Sequence, residues 1–115
     1  MKKAFITATI TSVFFFFLSC SKKDQPVNNT ACDAVPKNFG TDVNPLIQTY
    51  CNQVACHDNN SINGPGPLTN YTEVFNARVA IRGQVEAGLM PQNTTLSTTQ
   101  KNKIICWIDS GAPNN

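Results

Sequence analysis

The chain has 115 residues and a mass of 12.5 kDa, 41% of its residues are hydrophobic, and its formal charge is +2. This length holds at most one small domain and excludes a multidomain enzyme. Lys2 and Lys3 lie in the first few residues and account for the excess of basic over acidic residues. The rest of the chain is close to neutral, which argues against a nucleic acid as partner.

Residues 1–19 are predicted to be a secretory signal peptide. Two lysines follow Met1, and the apolar stretch of residues 4–18 includes four consecutive phenylalanines. That stretch is shorter than the roughly 20 apolar residues that a membrane-spanning helix needs. A basic start, an apolar middle and the small residue Ser19 are typical of a cleaved signal. We therefore expect the remainder of the chain to lie outside the cytoplasm.

Residues 17–20 (FLSC) resemble the lipoprotein box of bacterial lipoproteins, in which the cysteine is lipidated and becomes the first mature residue. The resemblance implies lipidation at Cys20 and a protein anchored to a membrane of the bacterial cell envelope, expected to be the outer membrane. The alternative is an ordinary signal followed by a structural cysteine. Residues 20–30 are polar and predict a flexible, lipidated tether. Residues 31–115 then form the domain, in the periplasm or at the cell surface.

A first helix is predicted around residues 41–50. Thr41 and Asp42 are a start signal, and Pro45 suits the opening turn. Apolar residues recur at spacings of three and four, and the helix leads directly into Cys51. Residues 58–70 contain the run Gly64-Pro65-Gly66-Pro67 and predict an irregular loop.

Two further helices are predicted. The second covers residues 72–86 and ends at Gly88, with one apolar face made of Val74, Phe75, Ala77, Val79, Ala80 and Val85. A loop around Met90 follows. The third opens with a capping box at Ser97 and Gln100 and carries Ile104, Ile105, Trp107 and Ile108. We expect Trp107 to pack this helix against the first.

No segment has a strand period, so the fold class is all-α, with about three helices and long loops. Such a small core commonly needs a disulfide, a metal or a cofactor.

The segment of residues 51–57 places two cysteines, Cys51 and Cys56, directly before His57, the only histidine of the chain. In c-type cytochromes two cysteines and an adjacent histidine hold the haem. The thiols add to the haem vinyl groups as thioethers, and the histidine ligates the iron. The usual motif has two residues between the cysteines, and this chain has four.

Around this motif, residues 41–112 resemble a single-haem cytochrome c domain, with a helix ending at the cysteines, a Gly-Pro loop ending in leucine, a middle helix, a Met-Pro loop and a last helix. The chain is similar to small cytochrome-like lipoproteins of bacterial envelopes, including in its ending CWIDSGAPNN. The resemblance implies a cytochrome c-like fold around one haem c, with thioethers at Cys51 and Cys56. It also implies iron ligation by His57 and Met90.

A backbone carbonyl of the Gly-Pro loop is expected to accept a hydrogen bond from the second ring nitrogen of the histidine. Pro65 and Pro67 are both candidates for this carbonyl, because each matches part of the family pattern. The sequence does not choose between them.

The resemblance implies a lipid-anchored monohaem c-type cytochrome that passes single electrons between redox partner proteins of the envelope. A His/Met ligand pair raises the reduction potential and closes both axial positions of the iron. With no further cluster suited to general acid/base chemistry, we expect an electron carrier rather than an enzyme.

The remaining cysteines leave alternatives open. If Cys20 carries lipid and Cys51 and Cys56 carry haem, Cys32 and Cys106 are left as a candidate disulfide. Four cysteines permit three connectivities, and pairing Cys51 with Cys106 and Cys32 with Cys56 would abolish covalent haem attachment. The alternative function is then a haem-free, disulfide-stapled surface binding module. A third hypothesis is a zinc site formed by Cys51, Cys56, His57 and Cys106.

Overall fold

A computed structural model of the protein describes residues 31–115. The predicted signal peptide (residues 1–19), the tether (residues 20–30) and the lipidation site Cys20 lie outside the described residues. Residues 31–115 contain three α-helices and no β-strand, which confirms the all-α fold class for this part of the chain. None of the helices described there is long and apolar enough to cross a membrane.

The first helix, α1, covers Asn44–Tyr50 and is preceded by a π-helical turn, Phe39–Val43. Val43 and Ile47 are fully buried, so the face they share points into the core. The backbone N–H of Cys51 donates to the Ile47 carbonyl at 2.9 Å. The predicted first helix is therefore present and ends at the first cysteine of the motif.

The second helix, α2, covers Tyr71–Glu86 and buries Val74, Ala77, Ile81 and Val85. These positions are three or four residues apart and lie on one side of a helix. Val79, which was expected on the apolar face, is 75% exposed. Five residues after Val74, it is rotated about 140° around the helix axis. Ile81 is the residue that fills the core.

The third helix, α3, covers Thr98–Asp109 and begins with the predicted capping box. The Ser97 hydroxyl accepts from the Gln100 backbone N–H at 3.2 Å, and the Gln100 side chain accepts from the Ser97 N–H at 2.8 Å. These two bonds satisfy backbone donors that the first turn leaves without helical partners.

Aromatic side chains join α2, α3 and the π-helical turn before α1. The Trp107 side chain is fully buried, and its ring centroid lies 5.2 Å from that of Phe39 and 6.5 Å from that of Tyr71. The indole N–H donates to the Pro113 carbonyl at 2.9 Å, and the Tyr71 hydroxyl donates to the Ala112 carbonyl at 3.0 Å. Trp107 thus packs α3 against the π-helical turn that leads into α1.

A disulfide joins Cys32 to Cys106, with the Cα atoms 5.4 Å apart. It links the start of the domain to α3. This is the candidate disulfide named above, which leaves Cys51 and Cys56 unpaired. The alternative pairing of Cys51 with Cys106 and Cys32 with Cys56 does not occur, because Cys51 and Cys56 are both free thiols.

An ion pair links α2 to α3. The Arg82 guanidinium donates to both carboxylate oxygens of Asp109, at 2.6 and 3.1 Å. This bidentate bond, aided by the Asp109 and Glu86 charges, raises the pKa of Arg82. The two helices are therefore held at the surface as well as through their apolar faces.

Candidate functional site

The segment from Cys51 to His57 folds into a tight loop at the end of α1. The backbone N–H of Cys56 donates to the Gln53 carbonyl at 2.9 Å, and the N–H of His57 donates to the Cys51 carbonyl at 3.2 Å. The four residues between the cysteines therefore form a turn. This turn brings the first cysteine next to the histidine despite the longer spacing.

The two thiols of the loop differ in their surroundings. Cys51 is 9% exposed and belongs to the apolar core, whereas Cys56 is half-buried. Burial, together with the smaller effect of the Cys56 charge, raises the pKa of the Cys51 thiol to about 11. Neither thiol takes part in the disulfide.

His57 is buried, with 8% of its surface exposed, and its ring is fixed by the backbone. Nδ1 lies 2.9 Å from the Gly66 carbonyl oxygen. A carbonyl only accepts hydrogen bonds, so in the neutral ring Nδ1 carries the hydrogen and Nε2 carries the free lone pair. Every fully buried side-chain nitrogen or oxygen in residues 31–115 has a partner. Nε2 bonds to none of these residues, so it is not fully buried and its lone pair has no protein partner there.

The carbonyl that holds the ring belongs to Gly66. The expectation that Pro65 or Pro67 would supply it is wrong. The reason is the register of the loop. The Leu68 N–H donates to the His57 carbonyl at 2.9 Å, and Leu68 is itself buried. This anchor places the carbonyl two residues earlier beside the ring. Gly66 adopts φ +100°, a conformation that glycine reaches without steric cost.

The two prolines lie on the α2 side of this loop. Pro65 and Pro67 line a crevice of about 230 Å³ together with Glu73, Asn76 and Ala77. Their side chains therefore face α2, and the hydrogen bond to the imidazole comes from the glycine between them.

Polar side chains that the sequence analysis did not single out clamp the loop. The Asn63 side-chain amide donates to the carbonyls of Ala55 and Cys56, at 3.0 and 3.2 Å. The Ser61 hydroxyl also donates to the Cys56 carbonyl. Asn and Ser in irregular segments commonly bond to nearby backbone groups. Their density in residues 58–63 was the available signal.

Met90 lies in the turn after α2 and is half-buried. Its backbone N–H donates to the Gln84 carbonyl at 3.3 Å, and Gly88 at φ +70° reverses the chain just before it. The loop of His57 joins α2 at the other end of that helix, which is about 24 Å long. The structure brings together Cys51, Cys56, His57 and Gly66 in one loop region, and Met90 lies in the turn beyond the other end of α2.

The zinc hypothesis is wrong for the described residues. Within residues 31–115 no three or more His, Cys, Asp or Glu side chains are grouped to hold a metal ion. Cys106, one of the four proposed ligands, is bonded to Cys32. A haem iron makes a different demand, because the porphyrin supplies four of its ligands and the protein supplies the axial ones. One accessible imidazole nitrogen beside two free thiols fits that demand.

No protein-family model, curated protein or solved structure matches this chain.

Proposed function

We propose that the protein is a lipid-anchored monohaem c-type cytochrome that transfers single electrons between proteins of the bacterial cell envelope. One observation carries the proposal. The His57 ring is held through Nδ1 by a backbone carbonyl, and its free Nε2 lies in the same loop as two unpaired thiols.

The hydrogen bond at Nδ1 is the feature that suits His57 to an iron ligand. Metal-ligating histidines usually donate their other ring N–H to a carbonyl or carboxylate. Such a bond fixes the ring orientation and increases the basicity of the ligating nitrogen. The bond from His57 Nδ1 to Gly66 does both, and it leaves Nε2 as the ligand.

The free thiols suit covalent attachment. In a thioether bond each thiol adds across a vinyl double bond, so that sulfur bonds to carbon and the thiol hydrogen moves to the other vinyl carbon. Cys51 and Cys56 are available for this addition because the disulfide uses Cys32 and Cys106. The raised pKa of Cys51 keeps it in the thiol form at neutral pH.

Haem c would supply the one-electron couple. His57 would hold the iron on one side, and Met90, in the turn beyond α2, would be its second protein ligand. A soft thioether ligand favours the ferrous state and raises the reduction potential. With both ligands in place the iron would have no open position for a substrate, which favours an electron carrier over an enzyme. The expected anchor at Cys20 and the tether of residues 20–30 place the carrier at a membrane, expected to be the outer membrane.

The decisive experiment is to produce the full chain in cells that also express the cytochrome c maturation machinery. The purified protein is examined by reduced-minus-oxidised absorption and by the alkaline pyridine haemochrome test. We expect haem that resists acid–acetone extraction, with a haemochrome band at the position of two thioethers.

Two cysteine variants serve as matched controls. Cys51→Ser/Cys56→Ser should lose covalent haem, whereas Cys32→Ala/Cys106→Ala removes the same number of cysteines, those of the disulfide, and should retain it. Folded wild-type protein without haem, while a control cytochrome matures in the same cells, would reject the proposal. That outcome would favour the haem-free disulfide-stapled binding module.

A further inference from the structure

The two proposed iron ligands lie in separate parts of the chain, and one hydrogen bond connects these parts. His57 follows α1, whereas Met90 lies between α2 and α3. The Gln100 side-chain nitrogen, in the first turn of α3, donates to the Tyr50 hydroxyl oxygen at 3.0 Å. Tyr50 is the last residue of α1 and leads directly into the loop of the histidine.

No second bond of this kind supports the first. In the part of the chain that the structure describes, no other hydrogen bond joins residues 44–57 to residues 87–109. Tyr50 and Gln100 are both half-buried, so water competes for their bond less than it does at an exposed surface. Loss of this bond is therefore not compensated by a neighbouring polar contact between the two regions.

The orientation of the Gln100 side chain is fixed at both ends. Its oxygen accepts from the Ser97 backbone N–H at 2.8 Å, and a backbone N–H only donates. The amide nitrogen therefore faces Tyr50, whose hydroxyl oxygen accepts. One side chain thus holds the cap of α3 and the end of α1 together.

The first turn of α3 also lies against the turn that carries Met90. The Lys101 Nζ lies 3.5 Å from the position that a Cβ atom on Gly88 would occupy. Leu96 is buried and directly precedes the cap residue of α3. A shift of the first turn of α3 relative to α1 would therefore move Met90 relative to His57.

We infer that Tyr50 and Gln100 are a positioning pair, which holds the turn of Met90 in register with the loop of His57. The inference rests on the proposed function, because it takes Met90 as an iron ligand. Neither residue of the pair would touch the iron, and both act through the methionine. A soft thioether favours the ferrous state, so the ferric state depends most on the pair. Loss of one hydrogen bond of ordinary strength should raise the ferric fraction with Met90 released about fivefold.

The test is a titration of the full-length, haem-loaded ferric protein with imidazole. Imidazole reaches the iron only where Met90 has been released, so its apparent affinity reports the released fraction. Loss of the absorption band of methionine-ligated ferric haem follows the titration. Tyr50→Phe, which removes only the hydroxyl group, should raise the apparent affinity about fivefold.

Two further variants are matched controls. Tyr71→Phe removes another half-buried hydroxyl, which donates to the Ala112 carbonyl at 3.0 Å, and should change the affinity less than about twofold. Gln100→Glu retains both bonds, because a carboxylate accepts from the cap N–H and from the Tyr50 hydroxyl. Its affinity should also stay within about twofold of the wild type.

Three results of the titration would overturn the inference: equal affinities in the wild type and Tyr50→Phe, equal increases in both tyrosine variants, or a fivefold increase in Gln100→Glu. Haem-loaded wild-type protein without methionine ligation would overturn it as well. If no haem is attached, the proposed function fails on its own. The pair is then tested in the haem-free chain by amide hydrogen exchange. Faster exchange of residues 88–96 in Tyr50→Phe than in Tyr71→Phe would support the pair, and equal exchange would overturn it.

Discussion

At the scale of single residues, the bond between His57 Nδ1 and the Gly66 carbonyl decides which ring nitrogen is available. The acceptor is a backbone atom, so no side-chain deletion removes it. Its position depends on the conformation of Gly66, whose φ of +100° lies where a Cβ atom is strained. The orientation and the tautomer of the imidazole therefore depend on the backbone conformation of Gly66.

Substitution of Gly66 by alanine tests this dependence. An added Cβ would meet no atom within 4 Å, so the expected loss of about 1–2 kcal/mol in unfolding free energy comes from the backbone alone. Gly64→Ala is the control, because its Cβ also meets nothing and its φ is not positive. Urea unfolding measures the stability, and ¹⁵N NMR of His57 reports the tautomer. Equal stability of the two variants would contradict the role assigned to Gly66.

The buried thiol of Cys51 predicts a pH dependence. Its pKa is about 11 in the folded chain and 9.0 for an ordinary cysteine, so between these values the folded state holds a proton that the unfolded state loses. The stabilising contribution is complete below pH 9 and disappears as the pH rises through 11. We expect a loss of about 2 kcal/mol over this window.

Urea unfolding of the chain prepared without haem, from pH 8.5 to 11, measures this loss. The Cys51→Ala variant shares every other titrating group and should show a correspondingly flatter pH profile. Parallel profiles for the two proteins would refute the assignment of the loss to Cys51.

Met90→Ala tests the second proposed iron ligand. We expect haem to stay attached through the cysteines while the spectral features of methionine ligation disappear and the reduction potential falls. Leu89→Ala, at the 61% exposed neighbouring position, should leave both unchanged. An unaltered ligand-field spectrum in Met90→Ala would rule out this ligand.

At the scale of the helices, the ends are fixed by side chains that the sequence makes visible. α3 begins at the reciprocal pair Ser97 and Gln100, and the Asn70 side chain accepts from the Glu73 N–H at the start of α2. Each side chain satisfies a backbone donor that a helix otherwise leaves free. The boundaries of the long helices therefore follow from local chemistry.

Ser97→Ala measures the contribution of one such cap. Loss of the hydroxyl acceptor should lower the unfolding free energy by about 1 kcal/mol. Thr98→Ala, one residue later and outside the capping box, is the matched control and should change it by less than about 0.5 kcal/mol. Chemical denaturation of the three proteins under one condition gives the comparison. A similar loss in both variants would argue against the cap.

Local sequence signals predicted the helices. The buried face of α2 and the acceptor for His57 depend on long-range contacts, which the sequence does not show. The capping box and the spacing of apolar residues placed α1 and α3. Val79 was misassigned because several apolar residues compete within α2 and only packing shows which face is covered. The motif of residues 51–57 identified the thiols and the imidazole. Gly66 was missed because every residue has a carbonyl, and the register depends on where Leu68 is anchored.

At the scale of the whole domain, the disulfide closes most of the described chain into one loop. Cys32 and Cys106 are 74 residues apart in the sequence, so the bond restricts the unfolded chain strongly. By loop-closure entropy it contributes about 4 kcal/mol. This is a large share of the stability of a domain with so small an apolar core.

Removal of this bond gives the corresponding prediction. Cys32→Ala/Cys106→Ala should lower the unfolding free energy by about 4 kcal/mol, measured with urea under oxidising conditions. Cys56→Ala, which removes a half-buried thiol outside the disulfide, is expected to cost less than about 1 kcal/mol. If the double variant were as stable as Cys56→Ala, the closure of the chain would not be the source of stability.

Trp107 gives the molecule a built-in optical reporter. It is the only tryptophan of the chain, it is fully buried between Phe39 and Tyr71, and its indole N–H is bonded to a backbone carbonyl. Its fluorescence therefore comes from a single known environment at the junction of α3 with the start of α1. Unfolding moves the indole from this dry site into water and shifts its emission to longer wavelength, so core packing can be followed without any added label.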